Sequence, residues 1–74
     1  MPSKYRMVSG EETVKNLCKN FQGKVVSQKG SHVKIKLESG RVTIVPNHRE
    51  LDRFTLKGAL DLAGISLEEF YEKL

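Results

Sequence analysis

The residues best suited to chemistry lie in the stretch Lys29-Gly30-Ser31-His32-Val33-Lys34-Ile35-Lys36-Leu37. After Glu38-Ser39-Gly40 it continues as Arg41-Val42-Thr43-Ile44-Val45-Pro46-Asn47-His48. Two alternating apolar and polar runs about a Gly-containing turn are the pattern of a β-hairpin. Successive side chains of a strand point to opposite faces. Val33, Ile35 and Leu37 therefore share one face, and His32, Lys34 and Lys36 share the other. The histidine stands at the start of its strand, in line with two lysines. It follows a Gly30-Ser31 pair that lets a backbone or a phosphate come close. An imidazole changes charge between pH 5 and 8 and can carry a proton either way. Beside it, the amines of Lys29, Lys34 and Lys36 can hold an anion. Together these groups suit work on a phosphodiester.

Each residue also has a plainer reading. A histidine at a turn can simply hydrogen-bond a strand end, and a basic strand face can be solvated surface and nothing more. His48 is either the second half of an acid/base pair or a loop residue that orients the Asn47 turn. The loop role is favoured, because His, Asn and Asp in loops often satisfy their own backbone. A zinc site from His32, His48 and Cys18 is not expected: the spacing matches no usual ligand pattern and Cys18 falls on an apolar helix face. The sequence has no Walker, dinucleotide or EF-hand loop. No metal and no small-molecule cofactor is expected.

A chain of 74 residues makes one small domain with a thin core. Its single cysteine, Cys18, excludes an intrachain disulfide and fits a reducing compartment. No apolar run approaches the roughly 20 residues that span a bilayer. The opening Met-Pro-Ser-Lys-Tyr-Arg has no apolar segment of the signal-peptide kind, so a cytoplasmic protein with no membrane partner is expected. The formal charge is +4 with a pI near 9.4, and the excess is local. Residues 24–49 carry Lys24, Lys29, Lys34, Lys36, Arg41 and Arg49 against Glu38 alone. The C-terminal segment carries Glu68, Glu69 and Glu72 against Lys73. A basic middle suggests a polyanion on one face. A protein adaptor that offers its acidic last helix to a basic partner is a further, weaker reading.

The elements that must position these groups can be read in order. Residues 1–8 form a flexible N-terminal arm whose Lys4 and Arg6 are free to touch a phosphate backbone, and residues 9–74 form the domain. Ser9 with Glu12 makes a capping box. Val14, Leu17, Cys18 and Phe21 give the first helix an apolar stripe, with Cys18 buried in it. Gly23 stops that helix by taking a positive φ. Lys24 to Gln28 is the first strand, with Val25 and Val26 as its apolar pair. Short turns make it and the next two strands antiparallel. The third strand puts Val42 and Ile44 on one face and Arg41, Thr43 and Val45 on the other, and Pro46 ends it. After a polar loop over 47–54, Thr55 caps a helix striped by Leu56, Ala59, Leu60 and Ala63. Gly64 and Ile65 close it in a Schellman motif. Ser66 and Glu69 box the last helix, Ile65 staples to Phe70, and Leu67, Phe70, Tyr71 and Leu74 form its buried face. The expected fold is α+β, in two layers of order α-β-β-β-α(-α). A three-stranded antiparallel sheet carries helices on one face and leaves the His32 face open.

Gly30-Ser31-His32, Val45-Pro46-Asn47-His48, Thr55-Leu56-Lys57-Gly58 and Ala63-Gly64-Ile65, in that order and spacing, resemble the HicA toxins. The resemblance covers about residues 9–72. It implies a fold like a double-stranded-RNA-binding domain and a catalytic histidine at His32. It also implies an endoribonuclease that degrades mRNA and is neutralised by a HicB antitoxin covering the active face. One departure is Phe54, where the family commonly has glycine. The chemistry implied needs no metal, because RNA carries its own nucleophile, the 2′-OH, beside the scissile phosphate. Lys29, Gly30, Ser31, Lys34 and Lys36 would hold that phosphate. A different class also fits the shape: a non-catalytic RNA-binding module of the same fold, which would have no need of an imidazole at position 32.

Overall fold

The computed structural model describes residues 6–74. Its elements are α1 (Gly10–Asn20), β1 (Lys24–Lys29), β2 (His32–Lys36), β3 (Val42–Pro46), α2 (Arg53–Ala63) and α3 (Leu67–Lys73). The strands form one antiparallel sheet in the order β1-β2-β3. This is the expected α+β arrangement. Val33, Ile35, Thr43 and Val45 are buried, while every residue between them on β2 and β3 is exposed. The helix layer thus covers one face of β2 and β3 and leaves the other open.

Helix α1 begins as expected. The Ser9 hydroxyl accepts from the Glu12 N–H and the Glu12 carboxylate from the Ser9 N–H. Hydrogen bonding to Arg6 first, and then to the Ser9 backbone, holds the Glu12 carboxyl below its usual range. The buried stripe is rotated from the expected one. Thr13, Asn16 and Leu17 are inside, and Cys18 is half-buried rather than a core residue. The polar pair can be inside because both side chains are satisfied. Thr13 donates to Ser9 O at 2.9 Å and Asn16 donates to Phe70 O at 2.9 Å, which ties α1 to α3. At the helix end Gln22, not Gly23, takes the left-handed backbone, with φ 54. Gly23 answers a different need. A Cβ there would lie 2.9 Å from both Leu17 O and Ile35 Cγ2, so only glycine lets helix and sheet close.

Two further expectations change. Asp52, not Thr55, caps α2: its carboxylate accepts from the Thr55 N–H at 2.8 Å, so Thr55 lies inside the helix. Hydrogen bonding to Thr55 holds that carboxyl below its usual range, and a negative group suits a helix N-terminus. Val8, expected in the arm, is fully buried and bridges Leu51 antiparallel. Arg6 is ion-paired to Glu12 at 2.9 Å, and Lys4 lies outside the described residues.

The remaining elements follow the sequence closely. Gly64, with φ 75, closes α2; its N–H and that of Ile65 donate to Asp61 O and Leu60 O, the Schellman pair. Ser66 and Glu69 box α3, and Phe70 is fully buried. Leu74, expected on that buried face, is 40% exposed. Among the described residues no helix is long and apolar enough to cross a membrane.

Ile35 is the test of the face assignment. It is fully buried under the helices, so Ile35→Asp leaves an unpaired charge there. The expected cost is several kcal/mol, enough to unfold a domain of this size. Thermal unfolding by circular dichroism checks it: a variant as stable as wild type would show that the strand's faces had been assigned backwards.

Candidate nucleic-acid interface

The β1–β2 loop is two residues long. Gly30 carries φ 59 and Ser31 keeps a negative φ. A positive φ at the first loop residue is the type II′ pattern that matches strand twist. Lys29 is therefore a strand residue directly opposite His32, not a residue of the preceding turn.

Register then builds the open face in three rows across β1, β2 and β3. The first is Lys29, His32 and Pro46; the second is Ser27, Lys34 and Ile44; the third is Lys24, Lys36 and Val42. The third row depends on a β-bulge. The partner list runs Val25 with Ile35 and then Ser27 with Lys34, so Val26 is the extra residue. In an unbroken ladder Lys24 would stand opposite Leu37 and point to the helix side. The bulge sets it opposite Lys36, which brings Lys24 and Lys29 to one face although they are an odd number of residues apart.

The face is accordingly a cationic field. Lys24 faces Lys36 and Lys29 faces His32, all exposed. Like charges directly opposite each other destabilise a sheet, so a bound polyanion relieves an existing repulsion. His32 lies in a recess of about 350 Å³ lined by Ser27, Lys29, His32, Lys34 and Ile44. Among the described residues its imidazole has no hydrogen-bond partner.

The second histidine arrives at the same end of the sheet. His32 is opposite Pro46, and the Asn47 N–H donates to Ser31 O, so the Val-Pro-Asn-His segment leaves β3 beside the Gly-Ser-His turn. The His48 carbonyl accepts from the Gly10 N–H at 2.8 Å. A Cβ on Gly10 would lie 2.2 Å from Pro46 O, so α1 closes against this loop without space for a side chain. The His48 carbonyl thus anchors the loop to α1, while its side chain is exposed. Cys18 sits on α1 in the helix layer, and no group of three His, Cys, Asp or Glu side chains that could hold a metal ion occurs among the described residues.

The structure thus gathers Lys29, Gly30, Ser31, His32, Lys34 and Lys36 as the sequence suggested. It adds Lys24, Ser27 and Ile44. Ser27 and Ile44 follow from register alone, whereas Lys24 needs the bulge.

Compared with known families, the chain matches the family described as HicA toxin of bacterial toxin-antitoxin over residues 10–65. The chain belongs to the HicA toxin family. No curated protein and no solved structure gives a significant match. In this HicA toxin the matched span includes every residue of the three rows and ends just before α3. Phe54, the departure noted above, is the second residue of α2 and 88% exposed, so its bulk does not disturb the core. Membership makes the protein a toxin of a toxin–antitoxin pair.

The lysines of the face offer a direct measurement. Lys24→Ala, Lys34→Ala or Lys36→Ala should each weaken binding of single-stranded RNA across sequences. Each should also flatten the plot of log affinity against log salt by roughly 0.7. Lys15→Ala, on α1, should leave the slope unchanged. Equal slopes for all four variants would remove the phosphates from this face.

Proposed function

We propose that this HicA toxin is a metal-independent endoribonuclease acting on mRNA in the cytoplasm, with His32 as general acid/base. The observation that carries the reading is the setting of His32: exposed, lining a recess with Lys29 and Lys34, and directly opposite Lys29 across the strands. Directly opposed residues hold their Cβ atoms about 4.5–5.5 Å apart, so Lys29 and His32 reach the same phosphate.

The chemistry follows from those positions. The 2′-oxygen of the RNA attacks the adjacent phosphorus, and the bond from phosphorus to the 5′-oxygen breaks. The imidazole takes the proton from the 2′-OH or gives one to the departing 5′-oxygen, and water serves the other transfer. Proton transfer of this kind is worth about 10²–10⁴-fold. Lys29 and Lys34 stabilise the charge that gathers on the phosphate oxygens, and Gly30 with Ser31 lets the backbone come close. A HicB-type antitoxin would neutralise the toxin by covering this same face.

His32→Ala should abolish RNA cleavage and growth arrest and leave stability within about 0.5 kcal/mol, because an exposed side chain holds no part of the core. Cleavage of a long transcript at equal folded concentration checks it. Equal rates would take His32 out of the reaction, and cleavage by neither protein would favour the non-catalytic RNA-binding module.

Activity should also survive excess EDTA, since the RNA supplies the nucleophile and His32 the proton. Loss of cleavage to the chelator, restored by a divalent ion, would overturn the metal-independent mechanism.

A further inference from the structure

The open face is not uniformly basic. Its β1 and β2 columns carry Lys29, Ser27 and Lys24, then His32, Lys34 and Lys36; its β3 column carries only Pro46, Ile44 and Val42. Ile44 is 47% exposed and Val42 37% exposed, on the side of the sheet away from the helices. Each apolar residue stands directly opposite a group of β2 that can be cationic: Pro46 opposite His32, Ile44 opposite Lys34, Val42 opposite Lys36. Ile44 also lines the recess that holds His32, Lys29 and Lys34. A ligand that touches those groups therefore touches Ile44 as well.

This layout fits a single strand of nucleic acid. Such strands are held by a cationic track along the backbone and by side chains, most often aromatic, against the flat faces of the bases; an aliphatic column offers the same apolar contact without the stacking. In a duplex those base faces are stacked inside and unavailable, and A-form RNA offers a protein its groove edges and hydroxyls instead. We infer that Val42, Ile44 and Pro46 form a base-binding shelf for unpaired RNA, running beside the phosphate-binding lysines. The inference rests on the reading of this face as the RNA site, and it adds which part of the RNA lies where. Aliphatic side chains have no donor or acceptor with which to read a base edge. The shelf therefore selects unpaired RNA over duplex and tolerates any sequence.

The test uses binding rather than cleavage. The probe is a short single-stranded RNA with 2′-O-methyl sugars, which has no nucleophile and cannot be cut; it is compared with the same strand lacking its bases and with its duplex. The double variant Val42→Thr with Ile44→Thr keeps both residues β-branched, so the strand is retained, and thermal unfolding verifies that it folds. It should bind the intact single strand several-fold more weakly, through lost apolar contact alone, with an unchanged salt slope. On the abasic strand and the duplex, variant and wild type should agree. Equal binding of the intact strand by both proteins would overturn the shelf, as would an equal loss on the abasic strand. Equal RNA binding coupled with escape from the cognate antitoxin would overturn it too, and assign the column to protein contact. A shelf that behaves as expected in a protein that cuts no RNA would defeat the ribonuclease reading alone.

Discussion

Val33 and Ile35 press down from β2 onto the helix layer, 4% and 0% exposed, and that contact fixes the other side of the strand. Fully burying a side chain of this kind is worth about 1.5–3 kcal/mol. A slip of one residue would turn both into solvent and carry His32, Lys34 and Lys36 into the core. The exposure of His32 is thus set by residues on the opposite face of its own strand. Val45 and Thr43 do the same for β3. Thr43 is accepted in the core because its hydroxyl donates to Ala59 O at 2.6 Å, which also fixes α2 against the sheet.

The same arrangement explains why the Gly-Ser-His and Val-Pro-Asn-His segments meet at one end of the sheet. Antiparallel pairing sets His32 beside Pro46, and the Asn47 N–H continues the pairing to Ser31 O. Two motifs far apart in sequence become neighbours through backbone hydrogen bonds alone. The N-terminus of α1 then locks the exit loop in place through the Gly10 N–H to His48 O. The face itself is built against its own stability, with Lys24 opposite Lys36. Repulsion on the open side is offset by burial on the other, from Leu17 through Ile35, Leu56 and Leu60 to Phe70.

Much of this was legible in the sequence because the governing signals are local. The period of two in β2 placed Lys34 and Lys36 with His32. Ser9–Glu12 and Ser66–Glu69 announced two helix starts, and Gly64-Ile65 announced a stop. The errors have a common cause: choices settled by tertiary contact. Asp52 outbid Thr55 for the cap because Leu51 is drawn back to Val8, which starts the helix earlier. Backbone freedom suggests glycine at position 23, whereas the crowding of Leu17 and Ile35 decides it. Hydropathy marks one stripe on α1, and the hydrogen bonds of Thr13 and Asn16 let a rotated one be buried. Lys24 could not be placed from period alone, since a bulge at Val26 changes the count by one.

Strand β1 has a different standing from its neighbours. All six of its residues are exposed, so it is held by backbone pairing to β2 and by little side-chain burial. Local opening is cheapest where few apolar contacts must be broken. Amide hydrogens of β1 should therefore exchange with solvent well before those of β2 and β3. Lys24, Ser27 and Lys29 travel with that strand, so half of the cationic field belongs to the most readily released segment of the sheet. Whatever grips those lysines also staples the strand down, and ordering of this edge becomes part of the free energy of binding.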